Sequence, residues 1–323
     1  MPWRPDVEPT VREVARRVWS CEQPDGPRII RQVVIAGETG TLVVDTGLPD
    51  SPAAGILGLL DRLAGEVTIL LTHPDADHVG GTAAILDRHP RARLLAGAAD
   101  VPLIGDPGRT IRERYARFAA DGITFAEADA DRALARFGPA FGPAAPAADG
   151  ALIDLGGLVV ELLATPGHSA GHTAAWVPGL GVLAAGDAVM GAGITDVVGD
   201  LYIPPMYAPP GTYRATIERL AGLDAAMLLS GHEPVLTDRS VTAFLVASRE
   251  ACDRLGRLVG EALDERPATL PVLCARVHAS YGGLPDGRQR DLALTVDGHL
   301  EDLVAAGDAV VDGRAPRTFR RSA

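Results

Sequence analysis

The stretch "LLTHPDADHVGG", residues 70–81, decides how this chain folds and where its chemistry sits. An apolar run ends at Thr72, and the next six positions bring His73, Asp75, Asp77 and His78 before a glycine pair. A short apolar run closed by turn residues reads as a buried strand. Donor side chains on the loop directly after such a strand stand on a rigid support, as a metal site requires. His73 and Asp75, two apart in an extended loop, can point one way, and Asp77 and His78 can then turn toward a second position close by.

Three further donors follow strand-like runs. "LVVELLATPGHSAGH", residues 158–172, delivers His168, and "AAMLLSGHEPV", residues 225–235, delivers His232. Two hairpin patterns repeat loosely: "QVVIAGETGTLVVDTG", residues 32–47, carries Asp45, and "TAAWVPGLGVLAAGDAV", residues 173–189, carries Asp187. His73, Asp75, Asp77, His78, His168, Asp187 and His232 suit two metal ions with Asp187 between them. Other histidines read differently. His89 reads as a solvated or capping side chain, His278 and His299 lie in C-terminal helical patterns, and His172 suits a hydrogen-bonding role behind the ligands.

Helical patterns alternate with the strands at "SPAAGILGLLDRLAG", "GGTAAILDRHP" and "GTYRATIERLAGL", which implies a layered α/β architecture. Residues 106–148 leave that rhythm, with "RTIRERYARFAADG" expected as a helix and "RFGPAFGPAAPAADG" as a connection, so this insertion is expected to act as a lid over the cleft. Residues 1–238 form the expected main domain and 239–323 a smaller one. The latter opens with "SVTAFLVASREACDRLGRLVGEALDE", whose Val241, Leu245, Cys252, Leu255, Val259 and Leu263 recur at helical spacing. Two further helices and a β-ribbon are expected after it, a winged-helix-like set. Asp297, Glu301 and Asp302 face only Arg288 and Arg290 there, which points to packing or a homodimer contact rather than DNA reading.

Composition narrows the functional classes. The formal net charge of -12 over 323 residues repels a phosphate backbone, so nucleic acid is not expected as a partner. No signal peptide or membrane span is evident, and Cys21, Cys252 and Cys274 lack framework or finger spacing, so a reducing cytoplasmic setting is expected. Tyr202, Tyr207 and Tyr213 cluster after Asp187 and are expected to pack in the interior, although one could donate to a substrate.

"THPDADHVGG", "TPGHSAGH", "AAGDAV" and "SGHEPV", in that order and preceded by "VVDTG", resemble the motifs of the metallo-β-lactamase superfamily over residues from about 30 to 235. The resemblance implies an αββα sandwich with a dinuclear metal centre along one edge. It assigns His73, the residue at 75 and His168 to one metal, Asp77, His78 and His232 to a second, and Asp187 to a bridge. Asp45 takes a supporting place. The implied activity is hydrolysis of an ester, lactone or thioester-type small molecule, with two divalent ions that activate water and polarise the carbonyl, and with Asp77 orienting the nucleophile. Zinc is the first expectation for those ions. The C-terminal segment resembles, much more weakly, the winged-helix tail of one hydrolase branch.

The chain departs from the family's His-x-His-x-Asp-His pattern at Asp75. Flavodiiron proteins are similar there but carry a flavodoxin domain that this chain lacks. A ligand count with Asp75 gives a formally neutral centre, which would favour manganese or iron relative to an all-histidine site and attract anionic substrates less. Three rival readings follow: a non-haem iron protein of the persulfide dioxygenase or flavodiiron kind, a metallo-nuclease, and a metal-free binding module.

Overall fold

Alternation of apolar residues builds two sheets. In the computed structural model, which describes residues 8–63 and 65–323, β1 (Thr10–Ala15), β2 (Val18–Asp25), β3 (Arg28–Ala36), β4 (Gly40–Val44), β5 (Glu66–Leu71), β6 (Arg93–Gly97) and β7 (Ala145–Ala147) pair in that order. The first four are antiparallel and the last four parallel. The second sheet contains β8 (Leu152–Asp154), β9 (Val159–Ala164), β10 (Thr173–Val177) and β11 (Val182–Gly186). A ribbon of β12 (Ile194–Thr195) and β13 (Leu201–Ile203) intervenes, and β14 (Met227–Ser230) and β15 (Leu236–Thr237) then complete the second sheet in the order β15-β14-β11-β10-β9-β8.

The two-residue period of a strand assigns each side chain a layer. Val33, Ile35, Leu42, Val44 and Leu70 meet Leu162, Ala175, Val177, Val182 and Ala184 between the sheets. Their neighbours Val34, Val43, Ile69 and Leu71 turn outward beneath Ile56, Leu60, Val79, Ile85 and Phe137. On the opposite side Ala174, Trp176, Leu183 and Leu228 pack under Tyr213, Ile217 and Leu220 of the helix Pro210–Ala221. The result is the expected αββα sandwich.

After β15 the chain forms helices Arg239–Ala262, Leu270–Tyr281 and Ala293–Ala306, with β16 (Ala268–Thr269), β17 (Ala309–Asp312) and β18 (Thr318–Arg321) in a small antiparallel sheet. Val241, Leu245, Cys252, Leu255 and Val259 lie in the same apolar cluster as Leu183 and Leu228 of the second sheet. This segment therefore shares a core with the sandwich.

The span 106–148 differs from its sequence reading. Its first part is helical but not one regular α-helix: the α-helical turn Pro107–Thr110 runs directly into the π-helix Ile111–Tyr115, and a 3-10 turn, Ala119–Asp121, precedes an unforeseen helix, Glu127–Phe137. While this first part lines a cavity beside Asp75 through Arg114, Phe118 and Phe125, the last part joins the first sheet, with Ala144 buried and β7 pairing in parallel with β6. Glycine and proline there mark an edge strand's approach.

Candidate metal centre

Parallel strands end along one rim, and the donors sit just beyond those ends. The loop after β5 carries His73 and Asp75 into the short helix Ala76–Val79, which holds Asp77 and His78. His168 follows β9, Asp187 follows β11, and His232 follows β14. Donor atoms of His73, His168 and Asp187 all lie within 4.8 Å of one another, and those of Asp77, His78 and His232 do the same. Asp187 stands between the groups, its Oδ2 lying 3.3 Å from His232 Nε2 and 3.7 Å from His78 Nε2.

Each of the four imidazoles is held from behind through Nδ1. His168 Nδ1 lies 2.8 Å from the Met206 carbonyl and His232 Nδ1 2.9 Å from that of Ile29; a carbonyl can only accept, so both Nδ1 atoms carry the proton. Thr72 Oγ1 gives its proton to Asp45 Oδ2 at 2.9 Å and so accepts from His73 Nδ1 at 2.9 Å, while His78 Nδ1 donates to Asp45 Oδ2 at 2.7 Å. Every Nε2 is left facing the cluster. Those of His73 and His78 are buried without a hydrogen-bond partner among the described residues. Buried polar atoms normally find partners, so orphaned Nε2 atoms beside carboxylates are the signature of an ion's ligands. The donor set thus fits divalent metal.

The surroundings keep the pocket free. A Cβ on Gly231 would lie 2.5 Å from Asp187 Oδ1 and 2.8 Å from His78 Cε1, so the position before His232 must be glycine. Burial would push the His78 imidazolium down, but the carboxylates of Asp45 and Asp187 outweigh it and hold its pKa up at about 10. His73, buried and facing His78, is pushed down to about 4.

Two arginines complete the cluster, and neither was found from sequence. Arg114 grips Asp75 with two parallel bonds, Nε to Oδ1 at 2.6 Å and Nη2 to Oδ2 at 2.7 Å, and Nη2 also donates to His168 Nε2 at 2.8 Å. Arg28 Nη2 donates to Asp77 Oδ2 at 2.6 Å, and Arg28 is itself steadied by Asp25, which Arg136 also grips. Burial would raise the Asp75 carboxyl, but Arg114 holds it well below the ordinary carboxylate range. Asp75 Oδ2 still lies 3.1 Å from His168 Nε2 and 3.3 Å from His73 Nε2, spacings compatible with ligands of a shared ion.

The formally neutral centre expected from Asp75 has a further charge beside it. That count included ligands alone, and the Arg114 guanidinium offsets the Asp75 charge within hydrogen-bond distance. A carboxylate where an imidazole was expected calls for a compensating cation. The arginine-rich "RERYAR" of residues 112–117 was the available signal.

The remaining histidines stay out of the cluster. His172 Nδ1 pairs with Thr165 Oγ1 at 2.8 Å, and its Nε2 accepts from the Asp187 backbone N–H at 3.2 Å, so it positions Asp187 rather than joining the donor groups. His278 bonds the Pro285 carbonyl and His299 bonds Tyr207, both remote from the rim, and His89 lies past the helix Thr82–Arg88. A cavity of about 380 Å³ opens beside Asp75 and Arg114, walled by Leu103, Phe118, Phe125, Met206 and Leu294.

A two-sheet sandwich with buried imidazoles and carboxylates gathered at one rim defines the class: a metal-centre protein of the αββα kind. The sequence model described as "Metallo-beta-lactamase superfamily" matches residues 25–232, and the chain belongs to that superfamily. Among curated relatives, a hydroxyacylglutathione hydrolase of Aeromonas hydrophila is 30% identical over 64% of this chain and 61% of its own length. One of Acidiphilium cryptum is 28% identical over 78% and 86%. Among solved structures, a metallo-beta-lactamase family protein of Thermus thermophilus aligns at a TM-score of 0.72 with 22% identity, covering 94% of this chain and 98% of that one. A beta-lactamase domain protein of Burkholderia ambifaria aligns at 0.75 with 18% identity, covering 98% and 96%. These two likenesses bear on the fold.

Proposed function

We propose that the chain hydrolyses an acyl ester, lactone or thioester of a small molecule, with up to two divalent ions, zinc foremost, held by the donor groups at the rim. The observation that carries this reading is the pair of orphaned Nε2 atoms of His73 and His78 inside a ring of carboxylates. The ions would supply Lewis acidity, lowering the pKa of a water and polarising the acyl carbonyl. Asp77, tied through Oδ2 to Arg28, is placed to orient the attacking water. Asp45, Thr72, Met206 and Ile29 fix the imidazoles, so little reorganisation is needed during reaction. The adjoining cavity would take the acyl group, its apolar wall excluding water. The hydroxyacylglutathione hydrolases among its relatives make thioesters the first class to try.

The test is a panel of thioesters, lactones and oxygen esters assayed on protein reconstituted with zinc, manganese or iron. Turnover of at least one acyl class that vanishes on chelation and returns with metal supports the reading; a metal-loaded protein inert toward all three overturns it. A second reading has one observation in its favour, since each of the two donor groups, His73, His168 and Asp187 or Asp77, His78 and His232, is a two-histidine, one-carboxylate set like that of mononuclear iron sites. Iron at one per chain after native purification would favour it.

A further inference from the structure

The two halves of the centre are not equivalent, and the difference lies in what the arginines already hold. In the half built on His73 and His168, both oxygens of Asp75 are taken by Arg114, whose Nη2 also donates to His168 Nε2 while its Nη1 donates to the His168 carbonyl at 3.0 Å. Because His168 Nδ1 is the protonated nitrogen, the lone pair that accepts from Arg114 is the one the imidazole would offer to an ion. In the other half Arg28 makes the same kind of contact more loosely: it reaches Asp77 through Oδ2 alone, its Nη1 donates to His232 Nε2 over a long 3.4 Å against the 2.8 Å at His168, and Nε and Nη2 also donate to Asp25. His73 Nε2 in the first half and His78 Nε2 in the second both lack a hydrogen-bond partner among the described residues, so the difference lies in the arginine contacts.

We propose that Arg114 is a resident competitor for the ion at the His73–His168 position, so that the centre loads unequally. One ion enters the Asp77, His78 and His232 half tightly. A second enters the other half only as Arg114 releases His168 and yields Asp75. A bidentate guanidinium–carboxylate pair in a buried setting is among the stronger polar contacts a protein makes, so its displacement lowers the second ion's affinity. Arg114 has somewhere to go, since it lines the adjoining cavity along with Arg117 and Phe118. While it stays, its charge stands beside the reaction rim in the place a second ion would supply one.

This inference rests on the metal-dependent reading above, and the experiment separates the two. Metal-free protein is titrated with cobalt(II), followed by visible absorption, and bound cobalt is measured after dialysis against graded concentrations. The wild type should bind the second equivalent at least about tenfold more weakly than the first, a gap of roughly 1.4 kcal/mol. Arg114→Met should close the gap by tightening the second ion, with the first unchanged, because Asp75 is left free to ligate. Arg114→Lys keeps a charge without the fork and should fall between, which covers the case in which the methionine variant does not fold. Two equivalents bound equally by the wild type, or a second-ion affinity that Arg114→Met leaves unchanged or weakens, would overturn the inference while leaving metal dependence standing. No cobalt uptake at all would overturn both.

Discussion

Asp45 takes a left-handed backbone, φ 61°, just past the end of β4, a conformation that costs a non-glycine residue roughly 1–3 kcal/mol. Its carboxylate then gathers three donors: the Thr72 amide at 2.8 Å, the Thr72 hydroxyl at 2.9 Å and His78 Nδ1 at 2.7 Å. The contorted turn is thus the device that fixes the tautomers of both His73 and His78. Asp45→Ala should leave the sandwich folded yet weaken zinc binding by about 10–100-fold, as losses of such supporting groups do. Chelator competition measures it, and an unchanged affinity would reduce Asp45 to a loop cap. Gly231→Ala should be harsher, since the added Cβ meets Asp187 Oδ1 and His78 Cε1 well inside contact distance; loss of metal uptake with an unaltered far-ultraviolet spectrum is the expected result. The donors were legible because each sits in a short motif at a strand end, and Asp45 and His172 could be placed behind them. Arg114 and Arg28 were not, because their partners lie 39 and 49 positions away and no local spacing marks the pairing.

At the scale of elements, strands read well where the two-residue period was clean. The hairpins of β3 with β4 and β10 with β11 stand where their glycine turns put them. Helices read well where one apolar stripe ran long, as in Arg239–Ala262. Residues 106–148 read poorly because propensity there is overruled by tertiary needs. The π-helix Ile111–Tyr115 presents Arg114 to Asp75 while the neighbouring Tyr115 hydroxyl receives the Ala76 amide at 3.0 Å, so the expected helix is widened there rather than kept regular. The helix Glu127–Phe137 buries Phe137 and sends Arg136 to Asp25, which in turn steadies Arg28 on Asp77. Deleting residues 139–147, the natural test of a lid, removes buried Ala144 and the β7 edge instead. It should abolish the cooperative melting transition or lower it sharply, whatever the substrate. Phe125→Ala, which trims the cavity wall without touching a strand, should raise KM for bulky acyl groups more than for acetyl, and an equal change for both would mean that the cavity is not the acyl site.

Over the whole molecule, the C-terminal helices close the outer layer of the second sheet, and the seam combines apolar packing with polar contacts such as Arg214 to Asp253 and Tyr281 to the Ala192 carbonyl. Tyr207 stacks on Tyr213 with ring centroids 4.2 Å apart, and its hydroxyl meets His299 Nε2 at 3.0 Å. Its backbone N–H donates to Thr295 Oγ1 at 3.1 Å, which ties the segment after β13 to the helix Ala293–Ala306. Tyr207 and Tyr213 are interior, as expected, and bind the C-terminal segment to the sandwich, whereas Tyr202 is only half-buried, with the Arg288 guanidinium over its ring. Burial, helped by the nearby Arg214 guanidinium, pushes the His299 pKa down to about 4. In the unfolded chain the same imidazole titrates near 6.5. The unfolded state therefore binds the extra proton first as pH falls, so the contribution is fully present above about 6.5 and is lost between there and about 4. The full loss is on the order of 3 kcal/mol, a large share of a typical domain's margin. Other buried groups also titrate in acid, so the decisive quantity is a difference. His299→Gln can still bond Tyr207 but cannot take up a proton, and its urea-derived stability should fall less steeply than wild type from pH 7 to 4.5. Parallel pH profiles would show that the seam is not where acid enters.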